Sequence, residues 1–184
     1  MLASIERFLA QRLRLVVNRD KSAVARPWKR KFLGYTFTMH HPPKLNVAPE
    51  SVKRSKSNLR ERFRRGRGRN LGRVITELRP MIRGWGAYFR KSQVRITFED
   101  LDQWIRRKRR AILWRQWKRP RTRAKHLRQR GLPRERAWRS AMNGRGPWWN
   151  AGASHMNQAV PTRYLTQLGL VRLVQEARRM ERLI

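Results

Sequence analysis

The fold of this chain depends on residues 71–90, LGRVITELRPMIRGWGAYFR, where an apolar stripe and a dense basic face coincide. The apolar residues recur at steps of three and four, which is the spacing of one buried helix face. They are Leu71, Val74, Ile75, Leu78, Ile82, Trp85 and Phe89. The arginines between them lie off this stripe, so we expect one face to be buried and the other to bind an anion. Pro80 lacks a backbone N–H and crowds the carbonyl of Thr76, which predicts a kink or a break near residues 77–80.

The composition points to a polyanionic partner. The 184 residues include 47 Lys and Arg against 11 Asp and Glu, a formal net charge of +36. Like charges repel one another in a compact state, so nucleic acid is the expected partner, with an anionic membrane surface or a ribosome-like structural role as alternatives. No apolar run approaches the roughly 20 residues that cross a bilayer, so we expect no membrane span. The absence of cysteine excludes disulfides and thiolate metal sites.

A second basic helix is predicted just upstream, within residues 45–70, LNVAPESVKRSKSNLRERFRRGRGRN. Pro49 fits the first helical position, and Asn70 is a plausible cap for the helix that follows. A thin apolar stripe is formed by Val52, Leu59 and Phe63. Glu61 is the one acidic residue in residues 51–70, whereas a solvated helix face usually mixes both signs. We therefore expect this surface to bind phosphate.

The chain downstream predicts further helices. Residues 97–100, TFED, resemble a capping box, and the inner face of the helix they open would carry Phe98, Leu101, Ile105 and Ile112, with Trp104 at its flank. Glu99, Asp100 and Asp102 form the densest acidic cluster, which could be a metal or acid–base site. Their place at a helix start favours a structural role through the helix dipole.

Tryptophans interleave with cations in the second half of the chain. Trp114 and Trp117 stand among arginines and lysines, which suits stacking on bases, although each is more typical of a core. Trp148 and Trp149 lie in a loop bounded by glycine and proline, and are either a packed plug or an exposed reader of bases. Helices are also expected on both sides of Gly131, through Tyr164 to Leu168, and from Leu170 to near Arg182.

The first 43 residues predict a helix followed by short strands. Leu2, Ile5, Leu9 and Leu13 trace a helical stripe, and residues 18–21 form a polar turn that predicts a hairpin between residues 15–17 and 23–24. Residues 32–38 alternate enough to form another strand. Pro42 and Pro43 then favour an extended linker that ends this unit.

Several blocks carry a family resemblance. KSAV, KFLGYTF, RPMIRGWGAYFR, GLPRERAW, GPWWNAG and YLTQLGL occur in this order, and the chain resembles the C-terminal portion of group II intron reverse transcriptases, which includes their maturase-specific, or thumb, domain. The resemblance implies a mainly α fold: a helical thumb-type bundle and C-terminal helices, with a small β remnant of the polymerase palm. It divides the chain into a palm remnant (1–43), the thumb (44–93) and a basic nucleic-acid-binding region (94–184).

The resemblance also implies roles for particular residues. Phe32, Leu33, Gly34 and Tyr35 correspond to the primer grip, so they would touch the backbone of a primer. The alternative is that the apolar side chains simply pack a small sheet, which leaves Gly34 as the best candidate for a close approach to a strand. The N-terminal helix resembles the last helix of the palm, although an amphipathic, arginine-rich start also suits an organelle presequence.

No polymerase activity is expected of this chain alone. The family's aspartate-bearing motif is absent from the sequence, and the four histidines are scattered, which argues against an HNH nuclease. We expect no cofactor, with Mg²⁺ needed only if a separate palm fragment complements the chain. The expected function is to bind structured intron RNA, or a primer–template duplex, and to assist splicing in the bacterial cytoplasm. A half of a split polymerase, a DNA-binding module and an inactive remnant are the rival hypotheses.

The residues expected to contact nucleic acid are the cations of the three basic segments. They are Lys53, Arg54, Lys56, Arg60, Arg64, Arg65, Arg67, Arg69, Arg73, Arg79, Arg83, Arg90, Arg106, Arg107, Arg109, Arg110, Arg115 and Lys118.

Overall fold

The computed structural model describes residues 2–20, 22–66 and 68–181 of the chain. The helices are α1 (Leu2–Leu13), α2 (Pro49–Arg65), α3 (Leu71–Tyr88), α4 (Ile96–Gln116), α5 (Pro120–Gln129), α6 (Arg134–Ala141), α7 (Pro147–Gly152), α8 (Ser154–Ala159), α9 (Thr162–Gln167) and α10 (Leu173–Glu181). The strands are β1 (Tyr35–Phe37) and β2 (Leu45–Val47), and a short 3₁₀ turn spans Pro27–Lys29. The structure is 65% helical, which confirms the mainly α prediction. The expected division at residues 43 and 93 stays a prediction.

Helix α3 lies at the centre of the core. Six of its seven predicted stripe residues are buried, and Trp85 packs partly buried against the same cluster. Of the kink or break predicted near Pro80, the break is wrong, because α3 runs unbroken from Leu71 to Tyr88, and the kink stays a prediction. A proline inside a helix costs about 3 kcal/mol. Full burial of Leu78 and Ile82, which flank it, contributes about 1.5–3 kcal/mol each and offsets that cost.

Local sequence signals predict two of the helix starts correctly and a third one wrongly. The predicted Asn70 cap is confirmed, since its Oδ1 accepts a hydrogen bond from the Gly72 N–H at 2.8 Å, and Pro49 opens α2 as expected. The capping box predicted at Thr97 is wrong. Helix α4 begins at Ile96, and the Thr97 hydroxyl lies 3.0 Å from Asn46 Oδ1 instead, so it ties α4 to strand β2.

The N-terminal third differs from expectation in its strand pairing. Strand β1 pairs antiparallel with β2, with Tyr35 opposite Val47, and the two prolines lie in the loop between these strands rather than ending the unit. The hairpin predicted across residues 15–24 is wrong for the described residues, because only a turn at Arg19 and Asp20 forms. An isolated two-stranded hairpin is only marginally stable in water. The side chain of Val16 is exposed, so a hairpin here would have no core to pack on. Lys21 lies outside the described residues.

Helix α1 forms as predicted but buries none of its residues. Ile5, Phe8 and Leu13 are exposed and Leu2 and Leu9 are half-buried, so the rest of the described chain covers its apolar stripe only in part. Amphipathic helices normally gain most of their stability by packing that stripe. Helix α1 therefore presents an apolar surface that is only partly covered in this structure.

Helix α10 is anchored by a residue from the acidic cluster. The buried carboxylate of Asp102 accepts hydrogen bonds from the N–H groups of Leu173 at 3.0 Å and Val174 at 3.4 Å. Burial raises the pKa of Asp102, and these two hydrogen bonds oppose that shift. Asp102 is therefore structural, as expected, but it caps α10 rather than the helix on which it stands. The described part of α10 reaches Glu181, and Arg182 lies outside the described residues.

We expect Asp102→Ala to lower the free energy of unfolding by about 2–3 kcal/mol, because it removes a helix cap and leaves two buried N–H groups unpaired. Denaturant titration followed by circular dichroism measures this loss. The control is Asp100→Ala on the exposed side of the same helix, which should cost less than about 0.5 kcal/mol. Equal effects of the two substitutions would contradict this assignment.

His155 couples stability to pH. Its imidazole is buried with its ring centroid 5.4 Å from that of Trp114, and burial lowers the pKa of His155. The unfolded chain therefore takes up a proton at a higher pH than the folded chain does. The contribution of neutral His155 to the free energy of unfolding is therefore fully present above the unfolded pKa of about 6.5. This contribution is lost as the pH falls below that value.

Between pH 7.5 and 5.5 we expect the denaturation midpoint of the wild-type chain to fall, and His155→Phe to reduce this fall. Chemical denaturation at a series of pH values measures the effect. His40→Gln, in an exposed loop, is the control for the loss of an imidazole outside the core. A wild-type midpoint that rises as the pH falls would contradict the assigned sign.

Candidate nucleic-acid interface

Helices α2 and α4 bring cations together on one surface. Lys56, Arg60 and Arg64 stand at steps of four on α2 and so share a face. Arg60 and Arg64 line a groove of about 100 Å³ together with Lys108 and Arg115 of α4. We call these five cations, Lys56, Arg60, Arg64, Lys108 and Arg115, the basic strip. Phe63 of α2 packs edge-on against Trp104 of α4, with ring centroids 6.3 Å apart, so the strip rests on a rigid support.

Tryptophans are interleaved with these cations. The Lys108 ammonium lies 5.6 Å from the ring centroid of Trp104 and 4.8 Å from that of Trp148. The guanidinium of Arg60 lies over Trp104 at 5.6 Å, and that of Arg107 lies over Trp148 at 4.3 Å. Such distances fit cation–π contacts. Aromatic and cationic groups thus alternate along one surface, a pattern typical of nucleic-acid binding.

The loop predicted around Trp148 and Trp149 is wrong, since both stand in the short helix α7, and their exposure resolves one of the open alternatives. Trp148 is 39% exposed and Trp149 is 46% exposed, so neither is a packed plug. By contrast, Trp114 and Trp117 are buried in the core, as expected. The side chains available for stacking therefore come from the short helix α7 and not from the end of α4.

A cleft of about 630 Å³ opens beside the strip, between α4 and the segment that includes α7. Its cationic and aromatic walls are formed by Lys56, Trp104, Arg106, Arg107, Arg110 and Trp148. We call it the α4–α7 cleft. Arg107 Nε donates a hydrogen bond to the Trp148 carbonyl at 3.1 Å. A Cβ on Gly152 would lie 2.9 Å from the Arg107 guanidinium, so glycine lets that side chain lie close to the backbone.

The five consecutive bases at residues 106–110 do not act together on the surface. An α-helix turns by 100° per residue, so five adjacent side chains must point in all directions. Arg109 is 0% exposed, and burial lowers its pKa to about 9. Arg110 is also buried, and its Nε donates to the Val160 carbonyl at 2.8 Å. Arg109 was predicted from the sequence to contact nucleic acid, but its guanidinium lies inside the protein.

Part of the basic face of α3 is covered by the C-terminal segment. Arg79 Nε donates to the Gly169 carbonyl at 3.3 Å, and Arg83 Nε lies 3.4 Å from the carboxylate of Glu176 in α10. Arg73 remains exposed, and Arg90 is half-buried. Arg79 and Arg83 thus make contacts within the chain, and the binding of an anion by this face stays a prediction.

The other candidate cations differ in their surroundings. Lys53 and Arg54 of α2, and Lys118 after α4, are exposed. Arg65 and Arg69 pair with Glu61 and Glu77, respectively. Arg106 is half-buried, and burial lowers its pKa. Arg67 lies outside the described residues. Lys108 and its contacts with both Trp104 and Trp148 were missed, because only the packing of α7 on α4 brings Trp148 to this lysine.

The residues resembling a primer grip form an exposed corner. Phe32 is 78% exposed and Leu33 is 66% exposed, so the alternative in which they pack a sheet is wrong for both. Tyr35 does pack, with its ring centroid 5.1 Å from that of Phe89, and its hydroxyl donates to the Tyr88 carbonyl at 2.6 Å. Gly34 has φ +81°, and its carbonyl accepts a hydrogen bond from the Ala48 N–H at 2.8 Å. Contact of this corner with a primer stays a prediction.

The described residues hold no group of three or more His, Asp or Glu side chains arranged to bind a metal ion. Within the same ranges, no helix has the length and apolarity that crossing a membrane requires.

We expect Arg109→Met to raise the free energy of unfolding by about 1–3 kcal/mol, because it replaces buried donors that have no hydrogen-bond partner with an apolar side chain of similar length. None of the Arg109 guanidinium nitrogens has a hydrogen-bond partner among the described residues. Denaturant titration and RNA-binding measurements check the substitution. Arg115→Met on the exposed side of α4 is the control and should weaken RNA binding with little effect on stability. A lower stability or weaker binding of Arg109→Met would contradict the buried, structural placement.

Comparison with known proteins identifies the region that carries the strip. Residues 52–131 match the family described as group II intron, maturase-specific domain. The match runs from the first turn of α2 to Gly131, beyond α5, and so includes all five cations of the basic strip. No curated protein matches the chain. The family resemblance seen in the sequence is confirmed by this match.

Proposed function

We propose, from the group II intron maturase-specific match over residues 52–131, that this chain binds structured group II intron RNA and assists its splicing. The observation that carries the proposal is the position of the basic strip within the matched region. In the family the maturase-specific domain is distinct from the polymerase catalytic part. The proposed activity is therefore binding, and it needs no cofactor of its own.

The strip suits recognition of a folded RNA by its backbone. A-form helices have a deep, narrow major groove that side chains do not read, so proteins contact them through phosphates, 2′-hydroxyls and shape. The strip supplies cations from two helices held together by buried side chains such as Leu59 and Phe63. A rigid array of this kind positions phosphates without reading sequence.

Binding of this kind supports splicing by an electrostatic route. A large RNA must bring its helices close together to reach an active fold, and their phosphates repel one another. A chain with a net charge of +36 offsets that repulsion where it binds. We place this action in the bacterial cytoplasm, where the intron is transcribed.

A second candidate function is to supply the thumb to a separate palm fragment. It is favoured by the uncovered apolar side chains of α1 and by the exposed Phe32 and Leu33. An extended apolar surface of this kind is typical of an interface. In that assembly the palm fragment would bring the catalytic aspartates and the Mg²⁺ that they bind.

We expect the affinity for a folded intron RNA to fall by roughly 10³- to 10⁵-fold between 50 and 200 mM salt, the range for about 6 to 10 phosphate contacts. Replacing Arg60, Arg64 and Arg115 together with Gln should reduce the slope of log affinity against log salt by up to about 3. Filter binding across a salt series measures this slope, with intron splicing rates followed in parallel.

Two control variants separate the strip from bulk charge. Lysine at the same three positions should preserve the slope, because the charge is retained. Gln at Arg121, Arg128 and Arg134, which are exposed on α5 and α6, removes the same charge elsewhere and should change the slope by less. Equal effects of the two Gln triples, or unchanged splicing with the wild-type chain, would overturn the proposal.

A further inference from the structure

The α4–α7 cleft has the size of a small-ligand site rather than of a duplex groove. Its volume of about 630 Å³ lies within the range of about 300–1,000 Å³ for pockets that enclose a small molecule. A double helix can lie across the basic strip, but it cannot enter a cleft of this volume. A cleft of this volume suits a single small group.

The chemistry of the cleft matches a nucleotide. Lys56, Arg106 and Arg107 supply positive charge for a phosphate, and the exposed part of the Trp148 ring supplies a surface for stacking. A site for phosphate alone would not need an aromatic wall or a carboxylate. This cleft has both, together with side-chain amides, because Asp100, Gln103 and Asn157 also line it. Such groups pair with the donors and acceptors on the edge of a base.

Part of the cleft is preorganised. The hydrogen bond from Arg107 Nε to the Trp148 carbonyl and the close approach at Gly152 hold the guanidinium 4.3 Å from the Trp148 ring centroid. A cation therefore already lies over the Trp148 ring before any ligand enters. Preorganisation of this kind reduces the entropy lost on binding.

The cleft is continuous with the basic strip. Trp148 lines both the cleft and the smaller groove formed by Arg60, Arg64, Lys108 and Arg115. A duplex whose backbone lies on the strip would thus place an adjacent unpaired nucleotide at the mouth of the cleft. Bases that are splayed out of a helix are the usual targets of stacking by aromatic side chains.

We propose that the α4–α7 cleft binds one unpaired nucleotide of a structured RNA, with the base stacked on Trp148 and the phosphate held by Arg107 and neighbouring cations. This proposal rests on the proposed function, since it assumes that RNA lies on the basic strip. It adds a preference that the strip alone does not provide: RNA with an extruded nucleotide is bound more tightly than a fully paired duplex.

The test compares three short RNA duplexes of the same sequence: fully paired, with one bulged nucleotide, and with one bulged abasic residue. We expect the wild-type chain to prefer the bulged RNA over the other two by roughly 5- to 150-fold, the range for stacking one base on an aromatic ring. Trp148→Ala should abolish this preference, so that the variant binds the bulged, abasic and paired duplexes about equally. Trp148→Phe, which keeps an aromatic ring, should restore much of it.

Two further variants control for the fold and for the site. Trp149→Ala removes the neighbouring exposed tryptophan, which does not line the cleft, and should keep the preference. Gly152→Ala keeps Trp148 but crowds the Arg107 guanidinium, and should weaken the preference. Retained binding of the paired duplex shows that each variant is folded.

The two proposals fail in different ways. Equal binding of bulged and paired RNA by the wild-type chain, with a steep salt dependence for both, would overturn the cleft proposal and leave the strip as the binding surface. Loss of preference in Trp149→Ala to the same extent as in Trp148→Ala would also overturn it. Weak binding of every RNA with little response to salt would overturn the proposed function itself.

Discussion

The burial of one apolar stripe on α3 stabilises the fold of a chain whose like charges repel one another. Leu71, Val74, Ile75, Leu78 and Ile82 pack into the same cluster as Leu59 and Phe63 of α2 and Phe98, Leu101 and Ile105 of α4. Hydrophobic attraction acts at short range and is not weakened by charge on the outer faces, whereas repulsion between exposed cations is screened by salt and by solvent. Helices α2 and α4 can therefore carry many exposed cations close together, which is the arrangement that a phosphate backbone requires.

The structure also separates the cations by role. A helix with consecutive arginines cannot direct all of them outward, so Arg109 enters the core, Arg110 binds a backbone carbonyl, and Arg107 is left at the mouth of the cleft. In α3 the arginines divide in the same way, since Arg79 and Arg83 hold the C-terminal segment while Arg73 faces solvent. The number of basic residues therefore overstates the number that can meet a nucleic acid, and packing decides which ones do.

Periodicity and local chemistry were enough to predict the long helices, the buried stripe of α3 and the Asn70 cap, because each depends on residues a few positions apart. The segment predicted as a loop around Trp148 forms the short helix α7 instead. The errors arise where distant segments meet. Asp102 caps a helix that begins 71 residues later, β1 pairs across two prolines, and Arg109 is buried by elements that no local pattern reveals. The cleft could not be predicted for the same reason, since Lys56, Arg107 and Trp148 come from three separate helices. Continuity of α3 through Pro80 likewise depends on packing on both sides.

The docking of α10 also has a consequence for how the chain is made. The hydrogen bond from Arg79 to the Gly169 carbonyl joins residues that are 90 positions apart, and the Leu173 side chain packs beside Gly86. Domains fold from the N-terminal side during synthesis, so α2, α3 and α4 can leave the ribosome and pack before α10 exists. In that interval the nascent chain exposes an apolar patch, and Arg79 and Arg83 lack the partners that the finished protein supplies. Ribosomal RNA is the nearest polyanion to such a chain. It is therefore the first molecule that can compete for the basic surface while the chain is being synthesised.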